Sequence, residues 1–321
     1  MAYAAHKEID TSAIPIIDIG PLRDGSAESG VAREIHEASR DVGFLYIRNH
    51  GIDPELIAEA HRKGLAFFRQ DDEIKREVSI NKDHRGYLRP GASKMDDDAT
   101  ADLKESFVWG HDFPPSQRMR PLEGVNQWPA SLPGLRPVLE RYIVAASEVA
   151  RHVLRGCALG LGLSADTFLQ RTSRPLSRAS LTYYPPQPEN LGPDVFGVSP
   201  HTDFGVLTVL HQDEVGGLHV QDYEGEWVAA PPVPGTLVVN VGDLLARWSN
   251  SKLRSTPHRV INRSGRERLS IVLAFDPDFD TLIDPSVSCA DGEVPGHDTI
   301  TCGDYLVWRF ARSFSYDDGP S

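Results

Sequence analysis

The stretch "SPHTDFGVLTVLHQD", residues 199–213, contains the pattern His-x-Asp twice. The first copy is His201-Thr202-Asp203 and the second is His211-Gln212-Asp213. In a β-strand, residues i and i+2 point to the same face, so each pair would present an imidazole beside a carboxylate. The second pair runs into "DEVGG", which has the composition of a turn and predicts a solvated Asp213 at a loop tip. The first pair is therefore the better candidate for metal binding.

A third candidate ligand follows further along the chain. His258 begins the strand-like run "HRVINR", and several other strand-like runs lie between it and Asp203. Two histidines and one carboxylate leave coordination positions open, which suits a non-haem Fe(II) that must admit other ligands. A structural zinc site would close its fourth position, usually with cysteine, and no cysteine lies near these residues in the sequence. Taken alone, His258 would instead be interpreted as an ordinary core or loop histidine.

The next strand-like run, "RERLSIVLAFDP", places a cation beside a hydroxyl. Arg268 and Ser270 are again i and i+2, so the guanidinium and the hydroxyl share one face. A buried arginine with an adjacent hydroxyl is suited to bind a carboxylate through charge-assisted hydrogen bonds. Tyr184, in "LTYYPP", would supply a further hydroxyl to the same carboxylate. The order and spacing of these residues predict a metal centre with an organic acid bound next to it.

The pattern of apolar and turn residues differs between the two parts of the chain. After about residue 177 the sequence consists of short β-type runs separated by Gly, Pro, Asp or Asn turns, which is typical of a sandwich or jelly roll. Before it, helical spacing appears in residues 31–43 and in 54–70, where Asp53 is the expected N-cap and Pro54 the first helical residue. A long amphipathic helix is predicted from Leu135 to Val153.

Composition narrows the class of protein. The chain has 321 residues and a formal charge of −13, which argues against a nucleic-acid surface. No apolar run approaches the roughly 18–20 residues that cross a bilayer, and "MAYAAHKEID" lacks the order of a signal peptide. Cys157, Cys289 and Cys302 form no CxxC pair and are typical of thiols in a reducing compartment. We expect a cytoplasmic protein that binds neither nucleic acid nor membrane, with a monomer as the default.

The sequence resembles the 2-oxoglutarate and Fe(II)-dependent oxygenases, specifically the isopenicillin N synthase-like family. The resemblance covers nearly the whole chain and is carried by "IPIIDIG", "VGFLYIRNHGI" and almost all of residues 201–278. It implies a mainly β fold, a distorted double-stranded β-helix (jelly-roll) core with flanking helices and a helical N-terminal part. It assigns iron to His201, Asp203 and His258, and gives His211 and Asp213 no metal role. It also implies that the distal carboxylate of 2-oxoglutarate is held by Arg268 and Ser270, with Tyr184 beside them and Thr182 near the cosubstrate.

The resemblance also implies an activity and a division of the chain. Members of the family use Fe(II), 2-oxoglutarate and dioxygen to oxidise a C–H bond of a small molecule, and they release succinate and carbon dioxide. The expected regions are an N-terminal helical and strand region (1–130), a long support helix region (131–176), the Fe(II)/2-oxoglutarate jelly-roll core (177–280) and a C-terminal helical cover (281–321).

Substrate selection is expected from residues 81–112 and the C-terminal helix, which would cover the mouth of the barrel. Phe107, Trp109 and His111 alternate, so on a strand they would face one way. The candidate pocket residues are Tyr87, Arg89, Phe107, Trp109, His111 and, at the end of the Arg268 strand, Phe275. An equally good interpretation is that the aromatic residues pack the helical layer against the barrel.

Three other functions remain open at this stage. An iron oxidase of the same family would take its electrons from its own substrate and dispense with 2-oxoglutarate, and the Arg-x-Ser pair does not exclude it. A variant that fragments 2-oxoglutarate to ethylene is a second alternative. A barrel that binds a ligand without turnover is the third, and the intact set of ligands and carboxylate-binding residues argues against it.

Overall fold

The described residues form fourteen strands, most of which build the centre of the fold. The computed structural model describes residues 14–93, 102–187 and 196–316. The strands are β1 (Ile16–Asp18), β2 (Phe44–Arg48), β3 (Gly86–Leu88), β4 (Glu105–Gly110), β5 (Arg178–Tyr184), β6 (Val198–His201), β7 (Leu207–Gln212), β8 (Leu218–Gln221), β9 (Trp227–Ala229), β10 (Leu237–Val241), β11 (His258–Val260), β12 (Arg268–Phe275), β13 (Leu282–Ile283) and β14 (Ile300–Thr301).

The strands form two main sheets and one short pair. The larger sheet has eight strands in the order β1-β2-β10-β7-β12-β5-β4-β3 and is antiparallel except for the β1–β2 pair. The smaller sheet has four strands in the order β6-β11-β8-β9, all antiparallel, and β13 pairs with β14. Apolar residues of both main sheets, such as Val238 of the larger and Val260 of the smaller, pack together in one cluster. The expected jelly-roll core is confirmed.

Helices flank the main sheets, and several of them pack on the outer face of the larger one. They are α1 (Gly20–Asp24), α2 (Glu28–Asp41), α3 (Pro54–Phe68), α4 (Asp72–Arg76), α5 (Leu135–Gly160), α6 (Asp243–Trp248) and α7 (Cys302–Ser313). Helix α3 begins as predicted, because Asp53 accepts a hydrogen bond from the Glu55 N–H at 2.9 Å and Pro54 is the first helical residue. Gly64 lets α3 lie directly on the sheet, since a Cβ there would come within 2.9 Å of Leu269 and 3.0 Å of Leu181. No helix of the described residues combines the length and apolar character needed to span a membrane.

Alternation along β12 links the helical layer to the interior of the barrel. Leu269, Ile271 and Leu273 belong to the main apolar core, together with residues of α3 and α5. Arg268 and Ser270 point to the opposite face, toward the smaller sheet, because successive side chains of a strand alternate. The same eight-residue strand therefore supplies both core packing and the polar groups of the site described below.

Candidate active site

Three side chains meet where the smaller sheet faces the larger one. His201, at the end of β6, and His258, at the start of β11, are directly opposite each other in the antiparallel ladder. Their ring centroids lie 4.2 Å apart. Oδ1 of Asp203 is 3.7 Å from Nε2 of both histidines, and one ligand atom from each residue fits within 4.8 Å of the others. Strand β6 ends at His201, so Asp203 lies in the loop after the strand instead of on it.

Backbone carbonyl groups hold both imidazoles in the tautomer that a metal requires. Nδ1 of His201 lies 2.7 Å from the Ser199 carbonyl oxygen, and Nδ1 of His258 lies 3.2 Å from that of Thr256. A carbonyl oxygen only accepts, so each Nδ1 carries the proton and each Nε2 keeps its lone pair for a metal. Burial, followed by the neighbouring His201, lowers the pKa of His258 to about 4, so this ligand is neutral near pH 7.

The carboxylate of Asp203 uses its two oxygens differently. Oδ2 accepts hydrogen bonds from Thr208 Oγ1 at 2.5 Å and from Asn240 Nδ2 at 2.8 Å. Oδ1 faces the two histidines. Burial acts to raise the pKa of Asp203, but His258, His201 and Asn240 together lower it below its ordinary value, so the group is ionised. The arrangement presents two imidazole nitrogens and one carboxylate oxygen to one point, and this donor set fits Fe(II) with positions left open.

The second His-x-Asp pair has a different environment. His211 is in β7 and Asp213 follows the strand, and neither belongs to the metal-binding cluster found among the described residues. The expectation of a solvated Asp213 was wrong: its side chain is only 12% exposed. It accepts hydrogen bonds from the Leu269 N–H at 2.7 Å and the Val215 N–H at 3.0 Å. Asp213 therefore fixes the turn and the start of β12, next to Arg268.

The residues expected from the sequence to bind a carboxylate line the same space. Arg268 pairs with Tyr184 and Ser270 pairs with Thr182 across the β12–β5 ladder, so all four side chains share one face. The Arg268 guanidinium stacks over the Tyr184 ring at 4.5 Å and donates through Nε to the Gly216 carbonyl oxygen. These four residues and the His201, Asp203 and His258 triad line one cavity of about 160 Å³, which we call the clamp cavity.

Two buried donors of this set have no hydrogen-bond partner among the described residues. Arg268 and Ser270 are each only 1% exposed. Over the part of the chain that the structure describes, Nη1 of Arg268 and Oγ of Ser270 make no hydrogen bond. A buried donor without a partner costs about 1–3 kcal/mol, and more for a charged group. A carboxylate bound between the two would satisfy both, so the residues fit the distal carboxylate of a 2-oxo acid chelated at the metal.

Comparison with known families agrees with this geometry. Residues 177–277 match the model of the 2OG-Fe(II) oxygenase superfamily. Residues 14–131 match the model described as non-haem dioxygenase in morphine synthesis N-terminal. The chain belongs to the 2OG-Fe(II) oxygenase superfamily. It is therefore a 2-oxoglutarate-dependent oxygenase of the hydroxylase type, with iron and 2-oxoglutarate as cofactors.

Relatives of this oxygenase are named for, or were solved with, different small molecules. It is 34% identical over 296 residues to a homoarginine-6-hydroxylase of Glycine max, covering 86% of this chain and 89% of that protein. A full-length Neurospora crassa protein, solved in complex with alpha-KG and thymine, superposes with a TM-score of 0.84 at 29% identity, covering 97% of this chain and 99% of that one. JOX2, solved with 2OG, Fe and JA, superposes with a TM-score of 0.78 at 28% identity, covering 92% and 84%.

A second cavity of the oxygenase lies on the other side of the triad. It has a volume of about 170 Å³, and we call it the α7 cavity because Phe310 of α7 and Phe314 just beyond it form part of its wall. Lys104, Thr182, His201 and Asp203 line both cavities. The segments expected to cover the barrel mouth do contribute to the α7 cavity, through residues of 84–108 and of the C-terminal helix.

The specific substrate residues expected from the sequence are placed elsewhere. Phe107 and Trp109 do alternate on β4, but they point to the helical layer: the Phe107 ring lies 4.9 Å from Phe67, and Trp109 Nε1 donates to the Leu139 carbonyl oxygen at 3.1 Å. The opposite face of β4, with Ser106 and Val108, lines the α7 cavity.

The other four candidates also lie outside both cavities. Tyr87 is buried and donates to Glu105 Oε2 at 2.6 Å. Phe275 is in the main core with the Arg151 guanidinium over its ring. Arg89 and His111 are exposed. The expected set of Tyr87, Arg89, Phe107, Trp109, His111 and Phe275 therefore packs the helical layer or faces solvent, and the structure does not bring it to the metal.

Several residues at the site were missed by the sequence analysis. Thr208 and Asn240 orient Asp203, and Asn240 had a signal, because a polar residue inside the apolar run "LVVNV" needs a buried partner. His84, Lys104 and Arg178 line the α7 cavity, and nothing in their local sequence marks them as pocket residues.

Proposed function

We propose that His201, Asp203 and His258 bind Fe(II), and that Arg268 and Ser270 bind the distal carboxylate of 2-oxoglutarate, with Tyr184 and Thr182 beside it. The enzyme then hydroxylates a C–H bond of a small molecule and releases succinate and carbon dioxide. The observation that carries this proposal is that two buried donors, Arg268 Nη1 and Ser270 Oγ, lie in the same cavity as the triad and have no hydrogen-bond partner within the described part of the chain.

The side chains around the cavity have different roles in this reaction. Bound Fe(II) and 2-oxoglutarate supply the oxidising chemistry. Arg268 compensates the charge of the distal carboxylate in a buried site, where the interaction is stronger than in water. Burial raises the pKa of Tyr184, although Arg268 acts in the opposite direction, so its hydroxyl stays protonated. Apolar residues of the clamp cavity, such as Val260 and Val272, exclude water from the reacting groups.

We also infer that the protein works in the cytoplasm as a monomer, with no nucleic acid or membrane as partner. The charge of −13 supports the absence of a nucleic-acid partner. The free thiols of Cys157, Cys289 and Cys302 support a reducing compartment. The monomer is the default. The four regions 1–130, 131–176, 177–280 and 281–321 are proposed as its functional division. Light scattering coupled to size exclusion would test the monomer, and a dimer mass would contradict it.

The site assignment is tested by two measurements on the full chain. Under anaerobic conditions, calorimetry gives the affinity for Mn(II), a redox-inert substitute for Fe(II), and then for 2-oxoglutarate. After iron loading and exposure to oxygen, succinate release is measured. We expect Asp203→Ala to abolish metal binding, and Arg268→Met to weaken 2-oxoglutarate binding by about ten- to a hundredfold, since a hydrogen bond to a charged group contributes about 1.5–3 kcal/mol.

Two matched variants serve as controls. His211→Gln alters the second His-x-Asp pair, and Arg266→Met removes a nearby exposed arginine that pairs with Glu214. Both should keep wild-type affinities. Normal 2-oxoglutarate affinity in Arg268→Met would refute the proposed clamp. Metal binding without 2-oxoglutarate binding or succinate in the wild type would favour the oxidase that dispenses with this cosubstrate.

A further inference from the structure

The α7 cavity borders the metal site and has mostly apolar walls. Val108 of β4, Ala274 of β12, Phe310 and Phe314 contribute to these walls. Its volume of about 170 Å³ is below the range of about 300–1,000 Å³ typical of pockets for drug-sized ligands. The space next to the open metal positions is therefore suited to a compact molecule with an apolar body.

Lys104 is a buried cation in this wall. The residue is 8% exposed, and its Nζ lies 3.5 Å from Asp102 Oδ2. Asp102 has other partners, because its Oδ1 accepts from the Ser199 N–H at 2.9 Å and its Oδ2 from Ser93 Oγ at 2.9 Å. An ammonium group has three donors, and one long contact to a shared carboxylate oxygen leaves it able to bind another anion.

The remaining charges of the wall do not provide that anion. Arg178 donates to Asp276 Oδ2 at 3.0 Å and stacks over Phe310 at 4.5 Å, so its charge is already balanced. Among the described residues that line the α7 cavity, Asp203 is the one carboxylate, and its oxygens are used by Thr208, Asn240 and the metal position. Among the described residues of this wall, Lys104 is thus the cation with the longer contact to its carboxylate partner.

We propose that the substrate carries a carboxylate that binds Lys104, with its apolar body against Val108 and Phe310. The proposal rests on the function proposed above and names the substrate class for the same site. A cationic side chain in this cavity would meet Lys104 and Arg178 without a free carboxylate among the described lining residues. A neutral ring would leave the ammonium group without a full set of acceptors in an apolar surrounding, which is costly.

The test compares acids with amides of the same shape. The full chain is loaded anaerobically with Mn(II) and saturating 2-oxoglutarate, and ligand-observed NMR gives the dissociation constants. The probes are phenylacetate and phenylacetamide, hexanoate and hexanamide, with thymine and homoarginine for comparison. Paramagnetic broadening by Mn(II) reports whether a probe lies next to the metal. We expect at least one acid to bind beside the metal about tenfold or more tightly than its amide.

Substitutions at Lys104 decide the origin of that preference. Lys104→Met should remove it, Lys104→Arg should restore most of it, and Lys63→Met, on α3, should leave it unchanged. Circular dichroism checks the fold of each variant. Equal binding of acid and amide overturns the proposal, as does an acid preference that survives in Lys104→Met, or tighter binding of thymine than of every acid.

The 2-oxoglutarate affinity separates this inference from the function on which it rests. If Lys104→Met weakens 2-oxoglutarate binding as much as it weakens acid binding, Lys104 serves the cosubstrate and the proposal is overturned while the function stands. If the wild-type protein binds no 2-oxoglutarate, the proposed function fails and this inference fails with it.

Discussion

A single carboxylate, that of Asp203, shows how the site is built at the scale of one residue. Thr208 and Asn240 both donate to Oδ2, which leaves Oδ1 directed at the histidine nitrogens. Without these donors the carboxylate would be free to rotate about its bond to Cβ, and either oxygen could face the metal position. Residues that orient a metal ligand in this way commonly influence metal affinity by about 10–100-fold.

We expect Thr208→Val to weaken Mn(II) binding by about 10–100-fold, because it keeps the side-chain shape and removes one of the two donors to Oδ2. Anaerobic calorimetry measures the change. Thr236→Val is the control, since the Thr236 hydroxyl donates to the Val233 carbonyl oxygen, outside both cavities. Unchanged affinity in Thr208→Val would mean that Asn240 alone orients Asp203.

At this scale the sequence indicated the candidate ligand-binding residues better than the residues that orient them. Spacing and residue type pointed to His201, Asp203, His258, Arg268 and Ser270, because metals and carboxylates need particular donors, and all five line one cavity. Thr208 was not indicated, because a threonine in a strand is ordinary, and its hydrogen bond depends on how the loop after β6 returns to β7. Asp213 shows the same limit, since its burial depends on the backbone of β12.

At the scale of elements, strand β4 shows what the alternation of side chains predicts and what it does not predict. Alternation correctly put Phe107 and Trp109 on one face, but it does not say which face meets the helices. The larger apolar side chains pack against α3 and α5, where the buried area stabilises the fold, and the smaller Ser106 and Val108 are left to line the α7 cavity.

A buried ion pair fixes this strand against α4. Lys75 Nζ and the Tyr87 hydroxyl each lie 2.6 Å from Glu105 Oε2, and the Lys75 and Glu105 side chains are 5% and 10% exposed. Removing one partner of a buried pair leaves an uncompensated charge, which costs about 3–5 kcal/mol. The pair therefore holds β4 on the side opposite to the α7 cavity.

We expect Lys75→Met to lower the free energy of unfolding by about 3–5 kcal/mol, because Glu105 is then buried without its cation. Urea denaturation measures the change. The double variant Lys75→Met/Glu105→Leu should be more stable than Lys75→Met alone, since no charge is left to bury. A single variant as stable as the wild type would show that Tyr87 and solvent suffice for Glu105.

At the scale of the whole molecule, the site joins the two main sheets. The histidines come from β6 and β11 of the smaller sheet, while Arg268 and Ser270 come from β12 of the larger one. The sequence predicted this only through the family resemblance, because residue spacing shows which side chains share a strand but not how two sheets face each other. That arrangement depends on packing between distant segments, such as those that bring Val238 and Val260 into one apolar cluster.

Ligands that bridge two sheets should stabilise the entire fold, because they bind the native state and not the unfolded chain. A ligand at a free concentration of 100 times its dissociation constant adds about 2.7 kcal/mol to the free energy of unfolding. We expect anaerobic Mn(II) and 2-oxoglutarate, each at that ratio, to give successive increments of this size in urea denaturation, and chelation to reverse both.

Asp203→Ala should lose both increments. Arg268→Met, at the wild-type 2-oxoglutarate concentration, should keep the increment from Mn(II) and lose most of that from 2-oxoglutarate, since the clamp lies on β12 and the metal ligands do not. Loss of both increments in Arg268→Met would instead show that the two sheets need this arginine to form the metal site at all.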